Sequence, residues 1–303
     1  MGSFAKTFSF EGSMVALVTP FQGKSGLRPT LDEEALRRLV DWHIAEGTDV
    51  IVPCGTTGES ATLDYDEHDR VIEIVVEQAR KRVPVLAGTG SNSTVEAIEM
   101  TKRARELGAD GSLQVTPYYN KPTQEGLYRH YCAVAEAVDL PIVLYNVPGR
   151  TSVNLLPETV ARLAKVPNII GIKEASGNLD QVRKVLSLCG SEFTVISGED
   201  AQNFEIVASG GRGWISVTAN IVPSRLARMW DLWKSGKAAD AKSVQETLQP
   251  LHAAMFFETN PIPVKTALGM MGKCNDAMRL PLCPMGHEAR ARLEQTLKES
   301  GLL

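Results

Sequence analysis

Residues 169–176 read Ile-Ile-Gly-Ile-Lys-Glu-Ala-Ser, an apolar run that ends in a lysine. Such a run is typical of a strand that is buried on both faces of a parallel sheet. If the strand belongs to a barrel, Lys173 lies at the end where barrel enzymes collect their catalytic side chains. A lysine held against apolar walls loses hydration, and its free amine can then attack a ketone. Taken alone, Lys173 fits a strand-end lysine that reaches to water at least as well, so the rest of the chain must decide.

Short β-rich runs alternate with amphipathic segments along the whole chain. The predicted strands are Met14–Pro20, Asp49–Cys54, Val83–Gly88, Gly111–Thr116, Pro141–Val147, Ile169–Glu174, Phe193–Ser197 and Gly213–Val217. Eight such alternations predict an α/β fold, a (β/α)8 TIM barrel with a C-terminal helical extension. We expect the barrel core to span residues 1–222, and residues 223–303 to form a helical region that includes the last barrel helix.

Helical signals separate these runs. Thr30 and Glu33 have the spacing of a capping box before an apolar stripe, and Gly47 is placed to end that helix. Beyond residue 223 the strand signal is lost, and apolar residues with two tryptophans, Trp230 and Trp233, recur at helical spacing.

Composition narrows the class of protein. The chain has 303 residues, of which 43% are hydrophobic and 22% charged, with a formal net charge of -4. That balance, without a basic run, argues against nucleic acid as a partner and favours a small-molecule substrate. No stretch approaches the ~20 apolar residues of a membrane helix, and the N-terminus lacks a signal-peptide core. The five cysteines are odd in number and lack a Cys-x-x-Cys pair, which suits a cytoplasmic protein.

The loop after the second predicted strand reads Gly55-Thr56-Thr57-Gly58-Glu59. Its glycines permit a tight loop and a close backbone approach, while two hydroxyls and several amides are available to hold a carboxylate. A phosphate loop or a plain turn is the alternative. A Walker loop would require Gly-Lys-Ser/Thr and a following helix, which this segment lacks.

Aromatic and basic residues follow the fourth and fifth predicted strands. Tyr118 and Tyr119 lie in Thr116–Asn120, and Tyr145 and Arg150 lie in Tyr145–Arg150. Phenols can relay protons and arginine can bind a carboxylate through two hydrogen bonds, although each tyrosine alone also fits a strand-end aromatic with a satisfied hydroxyl. No flavin, nicotinamide or pyridoxal motif and no metal-ligand pattern is present. A lysine mechanism without cofactor or metal fits best.

Six ordered motifs resemble the 4-hydroxy-tetrahydrodipicolinate synthase family, within the N-acetylneuraminate lyase superfamily of class I aldolases. The resemblance runs from about residue 10 to the C-terminus. The motifs are Gly55–Ser60, Thr116–Asn120, Tyr145–Thr151, Ile170–Ala175, Ile215–Asn220 and Asn260–Lys265.

The resemblance implies that Lys173 forms a Schiff base with pyruvate, whose enamine then attacks the aldehyde of L-aspartate 4-semialdehyde. It also implies that this is the committed step towards lysine, by way of diaminopimelate. By the same resemblance Tyr145 guides Schiff-base formation and Thr56 links it to Tyr119 in a proton relay. The implied substrate-binding residues are Thr57 for the pyruvate carboxylate, Arg150 for the semialdehyde carboxylate, and Gly198 and Ile215 through their backbones.

In this family Tyr119 reaches into the neighbouring subunit of a tight dimer, and two such dimers commonly form a homotetramer. The resemblance further implies allosteric feedback by L-lysine at the dimer interface. The residues implied for that site are Ser60, Ala61, His68, Asn92, Glu96 and Tyr118. Glu96 also lies three residues after Ser93, as in the reciprocal half of a capping box, and both interpretations can hold at once.

Two alternatives remain at this point. N-acetylneuraminate lyase and other pyruvate-dependent sugar-acid aldolases share the lysine and the tyrosine, but they usually lack the arginine, so Thr57 and Arg150 favour a short substrate with its own carboxylate. The second alternative is a catalytically silent relative that binds a metabolite, because a fold alone does not establish a function. The complete set of Lys173, Tyr145, Thr56 and Tyr119 argues against it.

Overall fold

The computed structural model describes residues 10–303. Within them, eight strands form one parallel sheet. In chain order these are β1 Gly12–Ala16, β2 Val50–Val52, β3 Leu86–Gly88, β4 Gly111–Val115, β5 Ile142–Asn146, β6 Ile169–Glu174, β7 Thr194–Ser197 and β8 Gly213–Ser216. A short antiparallel pair, Phe21–Gln22 with Thr30–Leu31, follows β1.

The sheet closes into a barrel. Each strand pairs with its neighbour in the chain from β3 to β8, β8 pairs with β1, and β1 pairs with β2. A parallel bridge between Ile51 and Val85 joins β2 to the start of β3. The predicted (β/α)8 TIM barrel is confirmed.

Alternation along the strands separates two apolar layers. Val143 and Tyr145 of β5 belong to the cluster inside the barrel, whereas Leu144 packs outward in the cluster under the helices. On β6, Ile172 packs outward in the same way. Because successive side chains of a strand point to opposite faces, Lys173 points into the barrel.

Twelve α-helices surround or follow the barrel within the described residues. They are α1 Glu33–Ala45, α2 Tyr65–Ala79, α3 Thr94–Glu106, α4 Gln124–Ala137, α5 Pro148–Thr151, α6 Pro157–Leu163, α7 Leu179–Cys189, α8 Asn203–Ala208, α9 Pro223–Lys234, α10 Ala238–Ala254, α11 Ile262–Met270 and α12 His287–Glu299. The helix α9 occupies the eighth helical position, and α10 to α12 form the predicted C-terminal helical extension.

One predicted helix cap is wrong. The residue that caps α1 is Asp32, whose carboxylate accepts a hydrogen bond of 3.0 Å from the Ala35 N–H. Thr30 instead pairs with Gln22 in the short antiparallel sheet, so it is not available as a cap. Aspartate at this position also places a negative charge at the positive end of the helix. The predicted end of the helix is confirmed, because Gly47 follows it with a φ of 87°.

The proposed division at residue 223 stays a prediction. Trp230 of α9 packs edge-on against Trp214 of β8, with ring centroids 5.8 Å apart. Leu248 and Leu251 of α10 belong to the same hydrophobic cluster as the outward-facing residues of β1 and β2. The C-terminal helices therefore share a core with the barrel.

Across residues 10–303, none of the helices combines the length and the apolar character that crossing a bilayer requires.

Candidate active site

Lys173 lies at the end of β6, inside the barrel, with 6% of its surface exposed. Its Nζ is 4.2 Å from the centre of the Tyr145 ring, and the two residues are direct partners in the register of β5 and β6. Among residues 10–303 no carboxylate lies within ion-pairing distance of this nitrogen. The amine therefore faces an aromatic ring and a cavity, without a carboxylate partner to hold it.

That cavity has a volume of about 430 Å³ at the carboxyl ends of the strands. The residues of the predicted site that line it are Thr56, Thr57, Tyr145, Arg150, Lys173 and Gly198. Ile215 lies in the barrel interior on β8, in one apolar cluster with Tyr145. The fold thus brings together residues that are up to 142 positions apart in the chain, from Thr56 to Gly198.

Position 198 requires glycine because a Cβ would not fit there, and not because its backbone has a positive φ. A Cβ at this position would lie 2.7 Å from Ala175 Cβ and 3.0 Å from Lys173 Cε. Both distances are far below ordinary carbon contacts, so any larger residue would displace the lysine side chain. The glycine leaves room beside the lysine at the position where a ligand of its amine would lie.

The loop Gly55–Glu59 turns tightly at the rim of the cavity. The Gly58 N–H donates to the Gly55 carbonyl at 3.1 Å, and Thr19 Oγ1 donates to the Gly58 carbonyl at 2.7 Å. Thr57 is buried, and its Oγ1 accepts a hydrogen bond of 3.0 Å from Asn260 Nδ2. The loop therefore has a fixed shape in which the Thr57 hydroxyl is positioned from outside the loop.

A buried ion pair supports this loop from below. Lys265 Nζ lies 2.5 Å from Glu59 Oε1, and both side chains are 0% exposed. The second oxygen of Glu59 accepts the Arg279 N–H at 3.1 Å, and Glu59 itself has a left-handed backbone with φ of 54°. Burial lowers the pKa of Lys265, while the neighbouring Glu59 carboxylate acts in the opposite direction. Lysine and glutamate together satisfy charges that would be costly to bury singly.

Arg150 belongs to the short helix α5 at the mouth of the cavity. Its Nη2 donates to the Asn260 carbonyl at 3.3 Å, while much of the side chain remains exposed. It lines the cavity of Lys173 and a second cavity beside it. A guanidinium in this position can receive a carboxylate that enters from solvent.

The structure does not bring Tyr119 to the other relay residues within one chain. Tyr119 is 89% exposed, has a φ of 74°, and lies outside both cavities. Tyr145 and Thr56 line the same cavity, and no hydrogen bond joins them in the described part of the chain. The relay is therefore incomplete in a single subunit.

The second cavity, of about 510 Å³, contains most of the residues predicted for lysine control. Ser60, Ala61, His68, Glu96 and Tyr118 line it. Asn92 does not line it but donates from Nδ2 to the Tyr118 carbonyl at 3.2 Å. Burial lowers the pKa of His68, whose Nε2–H donates to the Gly88 carbonyl at 2.9 Å.

The carboxylate of Glu96 does not complete a capping box. Ser93 accepts from the Glu96 N–H, which is one half of the motif. The Glu96 carboxylate, however, accepts from Ser91 Oγ at 2.8 Å, and the Ser93 N–H also donates to Ser91 Oγ. Glu96 therefore presents its charge to the cavity rather than to the end of the helix.

Two residues at the site were not identified as functional from the sequence. Asn260 lines both cavities and contacts both Thr57 and Arg150. Glu199 lines the cavity of Lys173, where burial raises its pKa, Asp200 adds to that rise, and Lys173 opposes it. Asn260 begins one of the quoted motifs, so its position in that motif was the available signal. Glu199 directly follows Gly198 after the seventh strand, which was the signal for that residue.

The described residues contain no group of three or more metal-ligating side chains that could hold an ion. Cys54 is buried beside the strand-two loop, and burial raises the pKa of its thiol. A thiol in that state is a poor nucleophile. Lys173 is therefore the candidate nucleophile of this cavity.

The similarity of this chain to known proteins extends over nearly its whole length. The model of the dihydrodipicolinate synthetase family matches residues 9–300. The 4-hydroxy-tetrahydrodipicolinate synthase of Geotalea daltonii is 60% identical over 294 residues, which cover 97% of this chain and 100% of that protein.

Two solved structures share the fold at substantial identity. The chloride-inhibited dihydrodipicolinate synthase from Acinetobacter baumannii, complexed with pyruvate, has a TM-score of 0.94 at 47% identity, covering 97% of this chain and 100% of that one. The enzyme from Cyanidioschyzon merolae with lysine bound has a TM-score of 0.93 at 39% identity, covering 97% and 99%. The similarity therefore includes the barrel and the C-terminal helices together.

Proposed function

The chain belongs to the dihydrodipicolinate synthetase family, and from this premise we propose that Lys173 is the residue on which its reaction takes place. The protein is an enzyme of lysine biosynthesis that condenses pyruvate with L-aspartate 4-semialdehyde to give 4-hydroxy-tetrahydrodipicolinate. The enzymes of this family use no added cofactor. The observation that supports Lys173 is its buried amine, without a carboxylate partner, at the base of the cavity.

In the proposed mechanism the Lys173 amine attacks the ketone carbon of pyruvate and water leaves, which forms a Schiff base. Loss of a proton from the pyruvate methyl group gives an enamine, and its carbon attacks the aldehyde of the semialdehyde. A carbon–carbon bond forms and the aldehyde oxygen takes up a proton as a hydroxyl. The amino group of the second substrate then attacks the Schiff-base carbon and releases the Lys173 amine, which closes the ring.

Each of these steps requires a proton to be moved. We assign this task to Tyr145, since the Lys173 amine lies over its ring and the residue lines the same cavity. Thr56 and Tyr119 extend the proposed relay towards solvent. Thr57 binds the pyruvate carboxylate, Arg150 binds the semialdehyde carboxylate, and Gly198 and Ile215 line the pyruvate site through their backbones.

We propose that a second subunit supplies Tyr119. The support is the exposure of this residue at 89% and its position directly after Tyr118, which is also exposed and lines the second cavity together with the exposed Tyr65. A tight dimer would cover these exposed side chains and complete the relay, and two such dimers would form the proposed homotetramer.

We also propose that L-lysine binds in the cavity lined by Glu96 and inhibits the enzyme. The Glu96 carboxylate is available to an ammonium group, because its hydrogen bond to Ser91 leaves further acceptor positions open. A cytoplasmic location is proposed as well, since all five cysteines are free thiols.

Trapping the Schiff base tests the assignment of Lys173. Purified protein is incubated with pyruvate, reduced with borohydride, and examined by mass spectrometry of the whole chain and of its peptides. We expect one covalent adduct, located on Lys173, and none in Lys173→Ala. Lys184→Ala is the matched control, because Lys184 is an exposed lysine that pairs with Glu158 on the barrel surface. An adduct that persists in Lys173→Ala would contradict the assignment.

Nothing in the described site favours a sugar-acid aldolase or a silent metabolite-binding protein. If the trapped adduct forms but the semialdehyde gives no product, the pyruvate half of the proposal stands and the second substrate must be another aldehyde.

A further inference from the structure

Asn260 lies between the two residues proposed to bind substrate carboxylates. It is 5% exposed and lines both cavities, just before α11. Its side-chain Nδ2 donates to Thr57 Oγ1 at 3.0 Å, and its main-chain carbonyl accepts from Arg150 Nη2 at 3.3 Å. One residue therefore contacts both proposed carboxylate-binding side chains.

The direction of the hydrogen bond between Asn260 and Thr57 determines whether the Thr57 hydroxyl can donate its proton to another group. A threonine hydroxyl has a single proton, whereas an amide N–H can only donate. Because Thr57 accepts from Asn260, its one proton remains free for another acceptor. A bound carboxylate is an acceptor only, so the Thr57 hydroxyl is prepared to donate to it.

The backbone of Thr57 leaves a second donor free. Among residues 10–303 no acceptor receives its N–H, while the next two residues donate theirs within the loop. Thr57 thus offers a hydroxyl and an N–H, two donors that can converge on a carboxylate.

The amide of Asn260 is held in this orientation at a cost. Its Oδ1 is buried and has no hydrogen-bond partner in the described residues. A buried acceptor without a partner is unfavourable, and such groups in folded proteins call for a specific explanation. The reversed amide would bury both N–H donors of Nδ2 without partners at the place of Oδ1, so the orientation with Nδ2 towards Thr57 leaves fewer polar groups unpaired.

The segment that carries Asn260 is itself fixed to the loop it acts on. The Lys265 N–H donates to the Pro261 carbonyl at 3.0 Å, and Lys265 Nζ forms the buried ion pair with Glu59. Thr57 and Glu59 of the loop are therefore both bound by residues 260–265. These two contacts hold both ends of residues 260–265 against the same loop.

We propose that Asn260 is a positioning residue that makes Thr57 a hydrogen-bond donor to the carboxylate of the keto-acid substrate. This inference rests on the proposed function, in which Thr57 binds the carboxylate of pyruvate. It assigns to Asn260 an effect on the binding of pyruvate that is exerted through the Thr57 hydroxyl.

Asn260→Asp tests the inference with little change of shape. Aspartate is nearly isosteric, but its carboxylate can only accept, so Thr57 must donate to it and turns its proton away from the substrate. The main-chain carbonyl that holds Arg150 is unchanged. We expect the KM for pyruvate to rise ~10-fold to ~100-fold, the range for a lost hydrogen bond to a charged group. The KM for the semialdehyde should change far less.

A second substitution separates this effect from simple charge repulsion, which would also weaken pyruvate binding. In Thr57→Val there is no hydroxyl to reorient. If Asn260 acts through Thr57, the aspartate substitution will add little to the pyruvate KM in the Thr57→Val background. Repulsion alone would raise the KM by the same factor in both backgrounds, and such additivity would overturn the inference.

Two controls keep the result interpretable. Asn260→Ala removes the donor without adding charge, and the same non-additivity with Thr57→Val is expected, so a failure of Asn260→Asp to fold still leaves a test. Borohydride trapping at saturating pyruvate must label Lys173 in the wild type and in every variant. No label in the wild type means that the proposed function fails, whereas labelled variants with an unchanged half-saturating pyruvate concentration overturn the role of Asn260 alone.

Discussion

Replacing Lys265 by methionine removes one half of the buried ion pair beneath the strand-two loop. Methionine retains most of the volume of the lysine stem, so the core around α11 stays filled. The substitution leaves the Glu59 carboxylate buried and without its ion-pair partner, with one hydrogen bond from the Arg279 N–H and the more distant charge of the Arg279 guanidinium to compensate for it. The change therefore tests the electrostatic role of Lys265 with little contribution from packing.

The size of the effect follows from the burial of the pair. Both side chains are 0% exposed, and the Nζ to Oε1 distance is 2.5 Å. Removing one partner of such a pair costs about 3–5 kcal/mol, since an uncompensated charge remains in the interior. We expect the free energy of unfolding of Lys265→Met to fall by that amount.

Urea titration at a fixed protein concentration measures this change, and the fixed concentration matters because the chain is proposed to assemble. The matched control is Lys298→Met, since Lys298 pairs with Glu294 at 2.6 Å on α12 while both side chains are about half exposed. That exposed pair should contribute at most about 1 kcal/mol. The double substitution Glu59→Gln with Lys265→Met removes both charges and should recover much of the loss.

The reasoning is refuted if Lys265→Met costs no more than Lys298→Met. It is also refuted if the double variant is as unstable as the single one, because the loss would then come from packing and not from an unpaired charge.

Three further predictions concern the pH response, the space beside the lysine and the second cavity. Burial lowers the pKa of His43 from 6.5 to about 3, so the contribution of this histidine to stability is complete above pH 6.5 and is lost as the pH falls towards 3. In His43→Gln, the free energy of unfolding should fall by about 2 kcal/mol less between pH 7 and pH 5 than it does in the wild type. A pH profile of this variant in urea titrations that equals the profile of the wild type would contradict the prediction. In Gly198→Ala the new methyl group would lie 3.0 Å from Lys173 Cε, and the rate at which Lys173 forms an adduct with pyruvate should fall by roughly 100-fold. An unchanged rate would show that residue 198 does not restrict the position of the Lys173 side chain. Glu96→Ala should leave the uninhibited rate near that of the wild type and remove inhibition by L-lysine, so unchanged sensitivity in the same assay would remove Glu96 from the proposed site.

The fold could be predicted from the sequence because each buried strand of the barrel appears there as a short run of apolar residues. The bounds predicted for β6, Ile169–Glu174, agree with the structure. The first strand was predicted to reach Pro20 but ends at Ala16, since apolar residues continue into the loop after the strand. The type of a residue predicts whether it is buried, but it is a poorer guide to where the hydrogen bonds between two strands end.

The site was harder to predict where it depends on contacts between distant segments. The motifs identified Lys173 and Thr57, but nothing local shows that Asn260 donates to Thr57, 203 residues away. The same applies to Lys265 and Glu59, although a lysine within the apolar sequence of α11 was a signal of burial. The exposure of Tyr119 was implied by the family resemblance alone, because it depends on how the whole loop leaves the barrel and not on the local sequence.

The most direct test of the central claim is the initial rate of the purified protein with pyruvate and L-aspartate 4-semialdehyde, coupled to nicotinamide oxidation by the reductase that consumes the product. The account predicts a rate that depends on both substrates and is abolished in Lys173→Ala but retained in Lys184→Ala. A rate that survives in Lys173→Ala, or no rate in wild-type protein that still forms the borohydride-trapped adduct, would contradict it.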